Sequence, residues 1–137
     1  MSKGLKFFSQ EWCDVAIGKI NANDLVYKGF KDPATFTHRM EFGTIGRDDI
    51  ATHLEWEAAK VVSWTTRQYP EDDLWLKINA SLETWRKVAE GAAQGGTLLL
   101  GGKIKFAKGP MAAAIENGSA FNNFLLTWGE VPTDWDL

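Results

Sequence analysis

The chain has 137 residues, a formal net charge of −3 and 45% hydrophobic residues. This length is typical of one domain, and the composition is that of a globular chain rather than a disordered one. No cluster of lysine and arginine offers the positive surface that nucleic-acid binders use, and an acidic chain is a poor candidate for sustained binding to anionic bilayers. We therefore expect a single domain over residues 1–137, with no nucleic-acid partner and no stable membrane insertion.

The cysteine content and the first residues bear on the compartment. Cys13 is the only cysteine, which excludes an intrachain disulfide and a cysteine-based metal cluster. Residues 1–6 lack the apolar run of a signal peptide, and no stretch approaches membrane-spanning length. We expect a cytoplasmic protein.

Apolar spacing predicts a helix followed by strands in the first half of the chain. Residues 5–22 have helical spacing, and residues 25–31 alternate weakly, which predicts a short strand. Residues 35–42 form the clearest predicted strand, with Phe36, His38, Met40 and Phe42 on one face. Residues 50–67 alternate for longer than one strand usually runs, so we expect either two strands or one strongly bent strand around Ala58 and Ala59.

The second half alternates between strands and helices. Residues 74–78 predict a strand, and Asn79 or Ser81 can cap a helix that ends near Gly91. A strand follows at 103–108, then a helix with Pro110 at its first position and a last helix at about 120–128. This order predicts an α+β fold with helices packed on a mostly antiparallel sheet.

The polar residues do not form a recognisable catalytic or metal site. The glycine-rich residues 95–104 do not fit the phosphate-loop pattern. Five residues separate Gly96 from Gly102-Lys103, and the pattern requires four. His38 shares an apolar strand face and is expected inside, whereas His53 lies on a polar face beside Glu55 and is expected to be solvated. No metal-ligand spacing appears, and we expect no catalytic residues, metal or cofactor.

Three stretches of the second half form a recognisable pattern. They are Asp73-Leu74-Trp75-Leu76-Lys77-Ile78-Asn79, then Leu82-x-x-Trp85-x-x-Val88-x-x-Gly91, then Leu98-Leu99-Leu100-Gly101-Gly102-Lys103-Ile104-Lys105-Phe106-x-x-Gly109-x-Met111. Over residues 73–111 the chain resembles the second half of the sterol carrier protein 2 domain. Two features depart from that family: Pro110 replaces the family's usual Asn or Asp, and the last three residues are not a peroxisomal Ser-Lys-Leu signal.

The resemblance implies a fold and a function. It implies a five-stranded, mostly antiparallel sheet covered on one face by helices, with an apolar tunnel between them that accepts fatty acyl chains, acyl-CoA or sterols. It also implies a short helical segment at residues 97–100 and supplies no catalytic residues. We therefore expect non-enzymatic binding or transfer of a long-chain lipid or another bulky apolar molecule.

The candidate tunnel lining combines the large apolar residues on strand faces with those on helices that could close over them. Seven tryptophans, far more than usual, fit either a dense core or a cavity for a bulky ligand. The lining residues that we predict are Phe36, Met40, Phe42, Trp56, Trp64, Ile104, Phe106, Met111, Phe121, Leu125 and Trp128.

Two other functions remain open at this point. The same fold could serve as an accessory or dimerisation module for a separately encoded enzyme, with a filled interior and self-association as a homodimer as its signature. It could also be an enzyme that acts on an apolar substrate with His38 or Glu55 as the base.

Overall fold

The computed structural model describes residues 4–66, 68–92, 98 and 101–137. The short helical segment expected at residues 97–100 lies outside these residues except for Leu98. The strands are β1 (Leu5–Lys6), β2 (His38–Thr44), β3 (Arg47–Glu57), β4 (Lys60–Thr66), β5 (Leu76–Ala80), β6 (Ile104–Lys108) and β7 (Thr133–Asp134). The helices are α1 (Gln10–Ala22), α2 (Asp24–Gly29), α3 (Leu82–Ala89), α4 (Met111–Glu116) and α5 (Gly118–Thr127).

Five strands form the main sheet, in the order β4-β3-β2-β5-β6. The pair β2–β5 is parallel and the other three pairs are antiparallel. The predicted α+β class and the five-stranded, mostly antiparallel sheet are therefore confirmed. The predicted break at Ala58 and Ala59 is the turn of the β3–β4 hairpin, where φ is 48° and 63°. Positive φ at both central residues gives a two-residue turn the twist that matches its strands.

Serine side chains set the beginnings of two helices. Ser9 Oγ accepts a hydrogen bond from the backbone N–H of Trp12 at 3.2 Å, so α1 begins at Gln10. Ser81 Oγ accepts from the N–H of Thr84 at 3.1 Å and caps α3, which confirms one of the two predicted caps. Gly91 follows the end of α3 with a φ of 74°, a conformation that glycine adopts without strain.

Three local predictions are wrong. Residues 24–29 form helix α2 rather than a strand, because the Asn23 side chain accepts from the N–H of Leu25 and starts a new turn. Residues 5 and 6 pair with β7 in a parallel two-stranded sheet and are not helical. Pro110 caps α4 rather than occupying its first helical position.

The helices cover the sheet face that carries the apolar side chains. Phe124 of α5 packs against Phe42, Trp56 and Trp64 of the sheet, with ring centroids 5.3–5.7 Å apart. Within the described residues, no helix combines the length and the apolar character needed to cross a bilayer. The layer between sheet and helices is therefore the apolar interior in which a ligand site is expected.

Candidate functional site

A cavity lies between the helices and one side of the sheet. Its walls come from strands β2, β5 and β6 and from helices α3, α4 and α5; the lining residues are Phe42, Ile78, Trp85, Ile104, Phe106, Ala114, Gly118, Phe121, Asn122, Phe124 and Leu125. Its volume is about 70 Å³ when measured as the space open to the centre of a water molecule. All the empty space between the walls, including the part open to solvent, is about 520 Å³. Ten of the lining residues are apolar.

Strand register places the floor of this cavity. Ile78 of β5 lies opposite Phe106 of β6, and Ala80 lies opposite Ile104. Because side chains alternate along a strand, Ile104 and Phe106 face the helices while Lys105 faces the other way. The floor is therefore an apolar patch at one edge of the sheet.

The helices supply the walls and roof. Trp85 of α3 is held in place because its Nε1–H donates to the carbonyl oxygen of Gly43 at 3.0 Å. On α5, Phe121 and Leu125 are four residues apart and lie on one helix face. Ala114 and Gly118, which lie across from the strands, have small side chains or none. These small residues leave space that larger ones would fill.

The structure places five of the eleven predicted lining residues in the cavity wall: Phe42, Ile104, Phe106, Phe121 and Leu125. The other six lie outside this wall. Phe36, Met40, Trp56, Trp64 and Trp128 are buried, and Met111 is 43% exposed on α4. Sequence reasoning did not select Ile78, Trp85, Ala114, Gly118, Asn122 and Phe124, although Ile78 and Trp85 belong to the quoted family pattern.

The expectation that His53 is solvated is wrong, because the segment after β4 covers its face of the sheet. His53 is 1% exposed, and its Nε2 lies 3.0 Å from Oε1 of Glu41. Its Nδ1 accepts hydrogen bonds from the backbone N–H groups of Gln68 and Tyr69, at 3.0 and 2.9 Å. A ring nitrogen that accepts a hydrogen bond carries no proton. The ring proton of His53 is therefore on Nε2, which donates to Glu41. His53 connects this segment to the sheet.

His38 and Glu55 border a separate polar cleft that shares no lining residue with the cavity. The imidazole of His38 stacks on Trp75 with ring centroids 3.8 Å apart, and partial burial lowers the pKa of His38. Arg39 lies 3.6 Å from a carboxylate oxygen of Glu55 and also 3.6 Å from one of Asp73. These charged groups satisfy one another outside the apolar layer.

Cys13 lies in α1, away from the cavity wall. It is fully buried, and desolvation, with a smaller contribution from Asp14, raises its pKa to about 12. A thiol with this pKa stays protonated and is a poor nucleophile at neutral pH. Over the same described part of the chain, no group of three or more His, Cys, Asp or Glu side chains could hold a metal ion.

Comparison with solved structures gives clear matches. The chain is similar to the crystal structure of sterol carrier protein 2, with a TM-score of 0.77 and 19% identity over 92% of this chain and 99% of that chain. It is similar to TT1886 of Thermus thermophilus, a hypothetical protein described as a possible sterol carrier protein, with a TM-score of 0.74 and 19% identity over 97% and 94% of the two chains.

A third similar structure is the UbiJ-SCP2 ubiquinone synthesis protein, with a TM-score of 0.56 and 10% identity over 82% of this chain and 90% of that chain. No protein-family model matches the sequence, and no curated protein matches it. The likeness therefore lies in the shared fold.

Proposed function

We propose that this chain, which has the fold of sterol carrier protein 2, binds an apolar small molecule in the cavity between sheet and helices and carries it without changing it chemically. The observation that supports this most is the cavity wall, in which ten of eleven residues are apolar. Such a wall removes hydrocarbon from water, which is the main source of affinity for an apolar ligand.

The size of the cavity limits the ligand. The narrower measure, about 70 Å³, is about half the volume of the roughly 150 Å³ apolar cavity that is known to hold one benzene molecule. The wider measure, about 520 Å³, holds at most about seventeen groups of roughly 30 Å³ each. A chain of about ten to twelve carbons lies between these limits, and a chain of more than about seventeen groups requires the helices to move outward.

The free energy of burial is sufficient for useful affinity. Ten methylene groups contribute about 8 kcal/mol at about 0.8 kcal/mol each. Loss of chain and rotational freedom offsets part of this gain, so we expect a dissociation constant between about 1 µM and 1 mM.

The positions of the reactive side chains support a carrier rather than an enzyme. His53 uses both ring nitrogens in hydrogen bonds inside the polar face of the sheet. His38 and Glu55 belong to the polar cleft, and the thiol of Cys13 is buried in α1. None of these groups lies in the cavity wall, so none could act on a molecule held there without a rearrangement.

The cavity also favours the carrier over an accessory or dimerisation module, since a filled interior would be the signature of such a module. Self-association as a homodimer and a cytoplasmic location stay predictions from the sequence.

Filling the cavity tests the proposal. Ala114→Phe places a ring in the cavity wall and should weaken the binding of dodecanol at least tenfold in a fluorescent-probe displacement assay. Ala112→Phe is the matched control, because Ala112 is an exposed residue of the same helix outside the cavity wall. A thermal melt of each variant checks folding, because overpacking costs about 1–3 kcal/mol.

Equal dodecanol affinity of folded Ala114→Phe and wild-type protein would exclude this cavity as the binding site. Absence of binding by the wild type to dodecanol and to the probe would exclude the function itself.

A further inference from the structure

The cavity wall holds one polar side chain, that of Asn122, among the described residues. None of the described residues that line this wall has an ionisable side chain, so a charged group that entered with a ligand would meet no partner of opposite sign among them. The polarity of the wall therefore restricts which part of an amphiphilic molecule can enter.

The amide of Asn122 is not used to hold the described fold together. Two other asparagines nearby in the sequence do make such hydrogen bonds. Asn117 Oδ1 accepts from the N–H of Lys31 at 2.9 Å, and Asn123 Nδ2 donates to the carbonyl oxygen of Ser119 at 3.0 Å. The Asn122 side chain, which is half-buried, makes no such bond to the described part of the chain. Because no described residue occupies them, the NH₂ donor and the carbonyl acceptor of the Asn122 side chain are available to a ligand.

The charged side chains near the cavity either have other partners or point away from it. Glu116 Oε1 lies 3.1 Å from Nζ of Lys31 in an exposed ion pair. The ammonium group of Lys108 donates to the carbonyl oxygen of Glu71. Lys105 alternates with Ile104 and Phe106 along β6 and points away from the cavity.

The connection between α3 and β6, residues 90–103, has ionisable side chains only at its two ends, Glu90 and Lys103. Residues 91–102 contain none. The one cation of this connection is therefore Lys103, an exposed residue that precedes Ile104 and is not part of the cavity wall.

We propose that the cavity selects neutral lipids that carry a single hydroxyl or carbonyl group, which Asn122 binds, over fatty-acid anions of the same chain length. An amide can both donate to a carbonyl and accept from a hydroxyl, so it fits either neutral group. A carboxylate inside the cavity would lose its hydration without gaining a cation, which is unfavourable. This inference rests on the proposed function and adds the ligand class.

A matched pair of ligands tests the selectivity. Dodecanol and laurate share a twelve-carbon chain and differ in the charge of the head group at pH 8. By isothermal titration calorimetry we expect laurate to bind the wild type at least tenfold more weakly than dodecanol.

A matched pair of variants tests the residue. Asn122→Leu should weaken dodecanol binding about three- to tenfold, the usual net effect of one lost hydrogen bond, and leave laurate binding unchanged. Asn123→Leu, on the same helix but outside the cavity wall, should change neither, and thermal melts of both variants check that each is folded.

Two results would overturn the inference and leave the carrier function standing: equal affinity for laurate and dodecanol, or unchanged dodecanol affinity in Asn122→Leu. If the wild type binds neither ligand, the proposed function fails and the inference fails with it.

Discussion

The apolar layer between sheet and helices contains two regions of different density. One is an aromatic cluster of Phe7, Phe8, Trp12, Trp64 and Trp128, whose rings contact one another; the Trp12–Trp64 and Trp12–Trp128 centroids are 5.3 and 5.6 Å apart. The other is the cavity, whose wall also contains several aromatic rings. Aromatic content therefore does not distinguish a filled region from a hollow one.

Small residues distinguish the two regions. Ala114 and Gly118 face the cavity where α4 leads into α5, and a glycine leaves no side chain to fill the space. In the aromatic cluster, large rings from β1–α1, from β4 and from the turn after α5 meet edge to face, which is a favourable arrangement. The cluster should contribute mainly to stability and the cavity mainly to binding.

The largest effect that would test this contrast is expected for Trp128→Ala. Trp128 is fully buried and contacts aromatic rings from α1, β2, β4, α3 and α5, so its loss should lower the free energy of unfolding by about 3–5 kcal/mol. Phe121→Ala, in the half-open cavity wall, should cost roughly 1–2 kcal/mol, because its side chain already borders empty space. Urea unfolding measures both, and equal losses would contradict the contrast.

An intermediate effect is expected on the polar face of the sheet. His53→Ala removes a partner of Glu41 and the acceptor of two backbone N–H groups, which should cost about 2–3 kcal/mol in urea unfolding. Dodecanol affinity should stay within about twofold of the wild type, because His53 lies on the opposite side of the sheet. A stability unchanged by the substitution would mean that these hydrogen bonds do not hold the segment after β4.

The smallest effect concerns the thiol of Cys13 in α1. Its pKa is raised to about 12 in the folded chain against an ordinary value of 9.0, so the unfolded chain loses its proton first as pH rises. Stability contributed by the protonated thiol is complete below pH 9 and is lost between pH 9 and about 12; the loss at pH 10 is about 1.4 kcal/mol. Between pH 8 and 10, the free energy of unfolding of Cys13→Ala should therefore fall by about 1.4 kcal/mol less than that of the wild type. The same pH dependence of unfolding in both proteins would show that the thiol is not buried.

Much of the fold could be predicted because its signals are local. Alternation of apolar side chains identified the strands of the main sheet, and serine caps together with helical spacing identified α3. The strand predicted at residues 25–31 failed because Leu25 and Tyr27, which suggested alternation, are 61% and 36% exposed in α2. Two exposed apolar residues in a short segment imitate a strand pattern.

The candidate site was harder to predict because cavity walls and filled cores use the same residue types. Trp56 and Trp64 fitted the expected pattern as well as Phe42 and Phe106 did, yet only the latter two lie in the cavity wall. Ala114 and Gly118 carry no chemical signal of a ligand site, since their contribution is the space they leave. The burial of His53 was missed for a related reason, because alternation gives the face of a strand but not what covers it.

The most direct test of the central claim is a methyl NMR titration of the protein with dodecanol. Chemical-shift changes should concentrate on the methyl groups of Ile78, Ile104 and Leu125 in the cavity wall, and those of Ile20, Val26 and Leu54 in the filled interior should stay nearly unchanged. Saturable shifts that leave the cavity methyl groups unaffected, or no shifts at all, would contradict the claim that an apolar molecule binds between the sheet and its helices.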